Sequence, residues 1–584
     1  MAVPLDDALR AFLADSGAPY KGRLERMLRA LSAEDADEVM MLMKESRGAP
    51  AALAAAGHRT ALFIGDARSG AAMALAALGL AVTILDRDAD RLRYAIARAE
   101  AYEPGSTRGV VGGDGPALPF SRDAFDLVMV EDGLPGPLTG RGFGMDEVRR
   151  VAAREVLVAA DNRLGYKRST GRRGVFRRSP LLLLREALRP SRGERALPGT
   201  RAAVRGDWEE AEAFALYPHA REFSHVVGLD APLPELSVGP RERRNRVKVA
   251  ANRAGLFRWL TPSFAVRARV ASGATDRADA LLAALAAEIG EPAPRVERLV
   301  ATRSNNVLLL TAPARRDEAG TSEWAVHVPL QPFKRRMVRA HHDWMESVAA
   351  RYPGVPVPRT LYAGRAAGLE VAGARRLRGL DGTELTGDPR RTARMFEDVG
   401  EALARLLDAE PTTVDDALWS SLLEARFERV LVQVTNAATR DRLEEMIRRL
   451  QRALVGKSLR LGMYHADLRP KHVKVDAHGR LVGLMDWGAS EGRFLPFVDL
   501  LQLVIHQRSQ ELGGRFGAAW KALKDPAARR PHEARALDRY TDLAGLDAAT
   551  AGALLDAFPL FVAGMAERNW DYSRPHWVQR QFGL

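Results

Sequence analysis

The apolar positions of the chain change their spacing from one stretch to the next. Up to about Gly57 they recur every three or four residues: Leu24, Met27, Leu28 and Leu31 share one helical face, and Val39, Met40, Leu42 and Met43 form a second cluster. From Thr60 the pattern becomes short apolar runs. Residues 61–64 and 81–85 read as strands on either side of Gly65-Asp66-Ala67-Arg68-Ser69-Gly70 and an Ala- and Leu-rich helix ending near Gly79. Runs at 156–158, 213–217 and 263–270 would complete that sheet. Beyond a small, polar stretch at 271–275, residues 296–300, 307–310 and 324–329 again read as strands. Met395, Val399, Ala402, Leu403 and Leu406 then open a helical region. Late in the chain, 473–475 and 481–485 form two short apolar strands around the turn Asp476-Ala477-His478-Gly479.

These shifts predict a helical segment over 1–57, an α/β domain over 58–270, a linker at 271–280, and a two-lobed α+β region over 281–378 and 379–584. The late hairpin brings the candidate chemistry. Asp467 precedes it in Tyr464-His465-Ala466-Asp467-Leu468-Arg469-Pro470-Lys471-His472, and Asp486 follows it in Leu484-Met485-Asp486-Trp487-Gly488. Two carboxylates flanking one hairpin suit phosphoryl transfer, in which one orients a hydroxyl and the other holds magnesium on the nucleotide.

This pattern resembles the aminoglycoside and macrolide phosphotransferase family, relatives of choline and protein kinases, over roughly the second half of the chain. The resemblance implies that Asp467 is the catalytic base, that Asp486 is a Mg2+ ligand and that His472 fills the second metal position. Most members carry Asn there, and macrolide-type members carry His. It implies ATP as donor and further nucleotide contacts from the loop Ser304-Asn305-Asn306 and from strand 324–329. Ser and Asn tolerate turns that aim backbone amides at phosphate. At the usual phosphate-binding Lys stands His327, leaving Lys334 or Arg335 to compensate or the affinity for ATP low. Glu346, with Asp343 as rival, is the expected acid partner on the next helix. Pro496-Phe497-Val498-Asp499-Leu500 is similar to a family segment whose Asp stabilises the catalytic loop. The aromatic residues Phe558, Phe561, Trp570, Tyr572 and Trp577 are expected to pack in a core, with an acceptor pocket as the alternative.

In the first half, a turn that meets cofactor and an acid that ends the second strand form a βαβ unit suited to binding a ribose. With Val110-Val111-Gly112-Gly113-Asp114-Gly115-Pro116-Ala117-Leu118-Pro119-Phe120 and Asp123-Ala124-Phe125-Asp126-Leu127-Val128, this looks like the class I S-adenosylmethionine-dependent methyltransferases, a Rossmann-like fold. The resemblance implies Asp86 on the ribose hydroxyls, Asp114 on the adenine amine and the Gly65 turn at the methionine end. The sequence departs where the family carries an acid two residues before the first Gly. Here that residue is Phe63 and the turn lacks the central Gly, so Asp66 is the substitute carboxylate. Asn162 or Tyr166 would face a substrate, and Glu131, Asp132 and His219 are candidate bases.

Composition narrows the partners. With Cys 0 there is no disulfide, thiolate nucleophile or Cys-based zinc site. No run of eighteen apolar residues and no leader-like N-terminus appears, which points to a cytoplasmic protein. The net charge of +13 suits anionic partners, though scattered surface Arg would give the same balance. No interleaving of basic and aromatic residues suggests nucleic acid. The expected acceptor is a small molecule, a glycan or a lipid-linked glycan, with room for peripheral membrane contact. Fused kinase and methyltransferase domains of this kind resemble enzymes that cap bacterial surface polysaccharides. The alternatives are an enzyme that modifies an antibiotic or secondary metabolite, and a non-catalytic scaffold with degenerate sites.

Overall fold

The computed structural model describes residues 3–131, 141–162, 197–219, 222–229, 254–255, 259, 261–302, 306–313, 323–434 and 436–568. Its contacts divide the chain into two units. The first comprises 1–236, 247–338 and 361–376, and the second 237–246, 339–360 and 377–584.

The first unit is built on one thirteen-stranded sheet. Strands β1 (Thr60–Ile64), β2 (Ala81–Asp86), β3 (Thr107–Val111), β4 (Phe125–Val130) and β5 (Ala152–Asp161) are parallel and lie in the order β5-β4-β1-β2-β3. Side chains of a strand alternate between faces, and a parallel sheet is covered on both, so its strands read as apolar runs. In β1, Ala61 and Phe63 enter one core and Leu62 and Ile64 the other. The chain leaves β1 toward β2 on one side and returns to β4 on the other, which makes the carboxyl end of β1 a topological switch point.

The sheet continues antiparallel beyond β5 through β8 (Ser263–Arg269), β6 (Glu210–His219) and β7 (Glu222–Gly228). It then runs into β9 (Arg295–Ala301), β10 (Asn306–Ala312), β11 (Trp324–Pro329), β13 (Leu369–Arg375) and β12 (Thr360–Ala366). The seam is the pairing of His225 with Val300 and Val226 with Leu299. Where the sequence suggested a break at 271–280, the segment is tied down. Arg267 and Arg269 both reach Asp276, at 2.9 and 2.6 Å, Ala56 N–H donates to Thr275 O at 3.1 Å, and the helix Arg277–Ile289 starts inside the stretch. A single apolar core holds Phe63, Leu75 and Leu285 together with Leu299, Trp324 and Val371, residues from both sides of the expected linker.

The N-terminal segment forms the predicted helices, Leu5–Ala14, Tyr20–Ala30 and Ala33–Leu42, followed by a buried 3-10 stretch, Glu45–Leu53. That stretch packs on the helix Gly70–Ala77 at contact distance. A Cβ on Gly70 would stand 2.2 Å from the Lys44 carbonyl carbon, and one on Gly48 2.4 Å from Ala74 Cβ.

The second unit is mostly helical, with small sheets. One joins Leu380–Asp381, Val473–Val475 and Leu481–Leu484, and another pairs Gly462–Tyr464 with Glu491–Phe494. The helices Pro389–Ala404, Val498–Glu511 and Pro531–Ala544 pack about them. Met395, Val399, Ala402 and Leu403 are buried along one face of the first, as their spacing predicts.

Candidate functional site

The hairpin 473–484 carries two loops that converge. After strand Gly462–Tyr464 the backbone turns through Ala466 at φ +66°, and after Leu484 it turns through Asp486 at φ +67°. A left-handed Ala or Asp costs roughly 1–3 kcal/mol, so the surrounding structure must hold it. The helix Val498–Glu511 supplies much of that hold. Asp499 in its first turn accepts the N–H of His465 at 2.7 Å and that of Ala466 at 3.0 Å, and Phe497 just before it is also left-handed, at φ +77°. His465 is fully buried and ties the two loops together. Its Nε2–H donates to Met485 O at 2.9 Å, and Nδ1 accepts from Asp467 N–H at 3.4 Å. Burial, reinforced by His472, pushes the His465 pKa down to about 4, which keeps this neutral tautomer. On the far side, Trp487 N–H donates to His341 Nδ1 at 2.8 Å.

This frame brings Asp467, His472 and Asp486 together, each offering one ligand atom within 4.8 Å of the others. The His472 Nδ1–H donates to the Asp467 backbone carbonyl at 2.6 Å, which turns Nε2 toward Asp486 Oδ2 at 3.0 Å. A nitrogen lone pair facing a carboxylate oxygen at that distance needs a proton or a metal cation to share. Burial opposes ionisation of Asp467, but Arg469 and then His472 outweigh it, and its pKa lies below the ordinary carboxylate value. For Asp486, desolvation is likewise overcome by His472, then Lys471 and His341, and the pKa falls well below that value. Both carboxylates are therefore ionised at neutral pH. Arg469 pairs with Asp467 Oδ2, while Gln502 Nε2 lies 3.5 Å from Oδ1.

A comparison with protein families decides the class. Residues 295–532 match the phosphotransferase enzyme family. Among solved structures the chain is similar to the GDP complex of wild-type aminoglycoside 2′-phosphotransferase-IIIa, at 15% identity over 51% of this chain and 95% of that one, with a TM-score of 0.34. It is similar to macrolide 2′-phosphotransferase type I, at 16% identity over 51% and 95%, TM-score 0.32. It is also similar to WbdD, at 12% identity over 84% of each chain, TM-score 0.25. No match was found among the curated proteins.

The other predicted residues of the phosphotransferase region are placed as follows. Asn306 opens β10 and closes the loop before it, its N–H donating to Thr302 Oγ1 at 3.1 Å. Its side-chain Oδ1 is buried and takes no hydrogen bond among the described residues. Ser304 and Asn305 lie outside the described residues. His327 sits in β11, in register with Leu308 on one side and Ala372 on the other. Glu346, on the helix Pro332–Arg351, is exposed and accepts from Thr360 Oγ1 at 3.2 Å, while the rival Asp343 lies 3.8 Å from His342 Nδ1. Of the two expected substitutes for lysine, Arg335 is taken by Glu103, and Lys334 is buried with Nζ 3.3 Å from Met337 Sδ. Phe558 and Phe561 are fully buried in the core, and Trp570, Tyr572 and Trp577 lie outside the described residues.

Ahead of the phosphotransferase region, the turn after β1 uses its carboxylates on itself. Asp66 is held bidentately by Arg68, at 3.0 and 2.6 Å. Asp86, at the end of β2, accepts Ala67 N–H at 2.7 Å on one oxygen and Asp88 N–H at 3.1 Å on the other. Gly65 is required by its neighbours, since a Cβ there would stand 2.8 Å from the buried Phe63 ring. The aromatic that replaces the expected acid is thus the group that keeps the glycine. Asp114 is largely exposed and pairs with Arg87 at 2.6 Å. Glu131, beside the switch point, is buried against Arg47 at 2.7 Å. Asn162 spends its amide on the carbonyls of Trp259 and Thr261, at 2.9 and 2.8 Å. His219 ends β6, and Asp132 and Tyr166 lie outside the described residues.

Sequence reasoning named the carboxylates and missed what holds them: Arg469, Gln502 and His341. A cation two residues after Asp467 was the available signal for Arg469. Gln502 lies one turn beyond Asp499, whose segment was the available signal, while His341 comes from a distant helix and leaves no local pattern.

Proposed function

We propose that the chain transfers the γ-phosphate of ATP to a hydroxyl of a sugar, glycan or related small molecule. The observation that carries this reading is the convergence of Asp467, His472 and Asp486 on one hairpin within the phosphotransferase region. Asp467 orients the acceptor hydroxyl and takes its proton as the oxygen attacks the γ-phosphorus and ADP leaves. Arg469 occupies Oδ2, which leaves Oδ1 facing the acceptor. The Asp486 carboxylate and the His472 imidazole nitrogen suit a divalent cation that keeps waters and phosphate oxygens as its other ligands. Asp486 and His472 would hold Mg2+, which neutralises charge on the phosphates when bound. Asn306, with Ser304 and Asn305, and the His327 strand are the proposed nucleotide contacts.

For the first unit we propose S-adenosylmethionine-dependent methyl transfer, supported by the parallel strand order with Asp86 beside the switch point. A carboxylate has about four lone-pair sites, so Asp86 keeps room for ribose hydroxyls after its two backbone bonds. The methionine end fits less well, because Asp66 is already paired with Arg68. The combined activity suits a surface glycan or lipid-linked glycan as acceptor, with an antibiotic or secondary metabolite as the second reading.

Two measurements test the proposal. Transfer from γ-labelled ATP to short glycans, an aminoglycoside and a macrolide should label one acceptor class, and labelling of none overturns the reading. Thermal shifts with Mg-ATP and with S-adenosylhomocysteine, each at about a hundred times its Kd, should reach roughly 2.7 kcal/mol for each ligand that binds. A shift with Mg-ATP alone would leave the first unit without its proposed cofactor.

A further inference from the structure

The helix Val498–Glu511 touches the loop around Asp467 twice. Its first turn holds the backbone through Asp499. One turn later, on the same face, Gln502 is 1% exposed and directs Nε2 at Asp467 Oδ1, 3.5 Å away. The two ends of a side-chain amide look alike, but here the carboxylate fixes the assignment, because the reverse orientation would set two acceptors face to face. The other end of the amide, Gln502 Oε1, is buried and has no hydrogen-bond partner among the described residues. A buried acceptor without a partner costs folding free energy, and an apolar side chain of the same shape would avoid that cost.

We propose that Gln502 is a positioning residue for Asp467, retained at the expense of stability. It rests on the phosphotransferase reading above. With Arg469 on Oδ2 and the amide on Oδ1, the carboxylate plane is held from both sides, and the second lone pair of Oδ1 is presented to the acceptor hydroxyl. The amide contributes a donor without a charge, so it orients the base without forming a second ion pair on it. At 3.5 Å the contact is long, as hydrogen bonds of a catalytic group often are before the substrates are in place.

The test uses the full chain with Mg-ATP and water as acceptor, read as release of inorganic phosphate. Gln502→Met should lower kcat about tenfold, because a mispositioned base loses alignment, with KM for ATP unchanged and Tm equal to or above that of the wild type. Gln507→Met is the control. Gln507 lies on the same helix and has the same kind of buried, unpartnered oxygen, but its amide bonds Thr386 Oγ1 at 3.4 Å. That variant should keep wild-type kcat. An unchanged kcat in Gln502→Met, or a fall in kcat that comes with a lower Tm, overturns the proposal in favour of a packing role. A wild type that neither releases phosphate nor labels any of the acceptors above overturns the phosphotransferase reading itself, a failure visible before any variant is made.

Discussion

The loop around Asp467 and the turn after β1 both place carboxylates at strand ends, and they treat them in opposite ways. In the turn, charges cancel locally: Asp66 by Arg68, and Asp86 by two backbone N–H groups. None of its residues, 65–70, holds a positive φ. Around Asp467 the backbone is bent through left-handed Ala466 and Asp486, and Asp467, His472 and Asp486 are held close together although two of the three are like charges. Two carboxylates kept ionised by their neighbours and brought together on a strained frame are arranged for something outside them. A turn that satisfies itself is arranged first for folding.

Substitutions can break this contrast. The largest effect is expected from Asp467→Asn, which should lower phosphoryl transfer by about 10²–10⁴-fold while the thermal shift with Mg-ATP survives. Asp486→Asn should abolish the magnesium dependence of that shift, measured with ATP in the presence and absence of the metal. In the turn, the same chemistry should appear as stability instead. Asp86→Asn keeps one oxygen for two donors and should cost about 1–3 kcal/mol in a denaturant titration, and Gly65→Ala a similar amount through its contact with Phe63. Phosphate release per folded molecule should be unchanged in both. Asp86→Asn should also weaken an S-adenosylhomocysteine shift, as the proposed ribose contact requires; if it leaves stability intact, the contrast fails.

Acid sharpens the comparison further. His465 has a folded pKa of about 4 against an ordinary 6.5, so the unfolded chain binds more protons between those values. Its contribution is complete above pH 6.5 and is lost as pH falls toward 4, at up to about 1.4 kcal/mol per pH unit. Denaturation of the metal-free protein should show that slope, and His465→Gln should flatten it. The smallest effect is Ala466→Gly, which relieves a left-handed Ala but loosens the unfolded chain, for a net change within about 1 kcal/mol in denaturant midpoint.

How much of this was readable follows from distance along the chain. Asp467, His472 and Asp486 lie within twenty residues and flank one hairpin, so their spacing carried the geometry. Strands β1, β2 and β5 were legible because buried parallel strands are apolar on both faces, whereas β3, at the sheet edge, is mostly exposed and carries no such run. Of the supports, Asp499 was legible through its segment and Gln502 lies one turn beyond it, but His341 reaches the loop from a helix far along the chain, and nothing local in a helix says which neighbour it will meet. The glycine at 65 answers to Phe63 packing, a demand that looks the same in sequence as a close approach to ligand.

The seam between β7 and β9 bears on how the protein can be taken apart. A phosphotransferase fragment started at the apparent linker would lose the partner of β9 and expose its unpaired N–H and C=O groups along a sheet edge. It would also strip Leu299 and Trp324 of the core they share with Phe63 and Leu75. Such a fragment would offer a ready template for self-association, so truncations aimed at a minimal kinase are better designed to carry the β6-β7 hairpin with them.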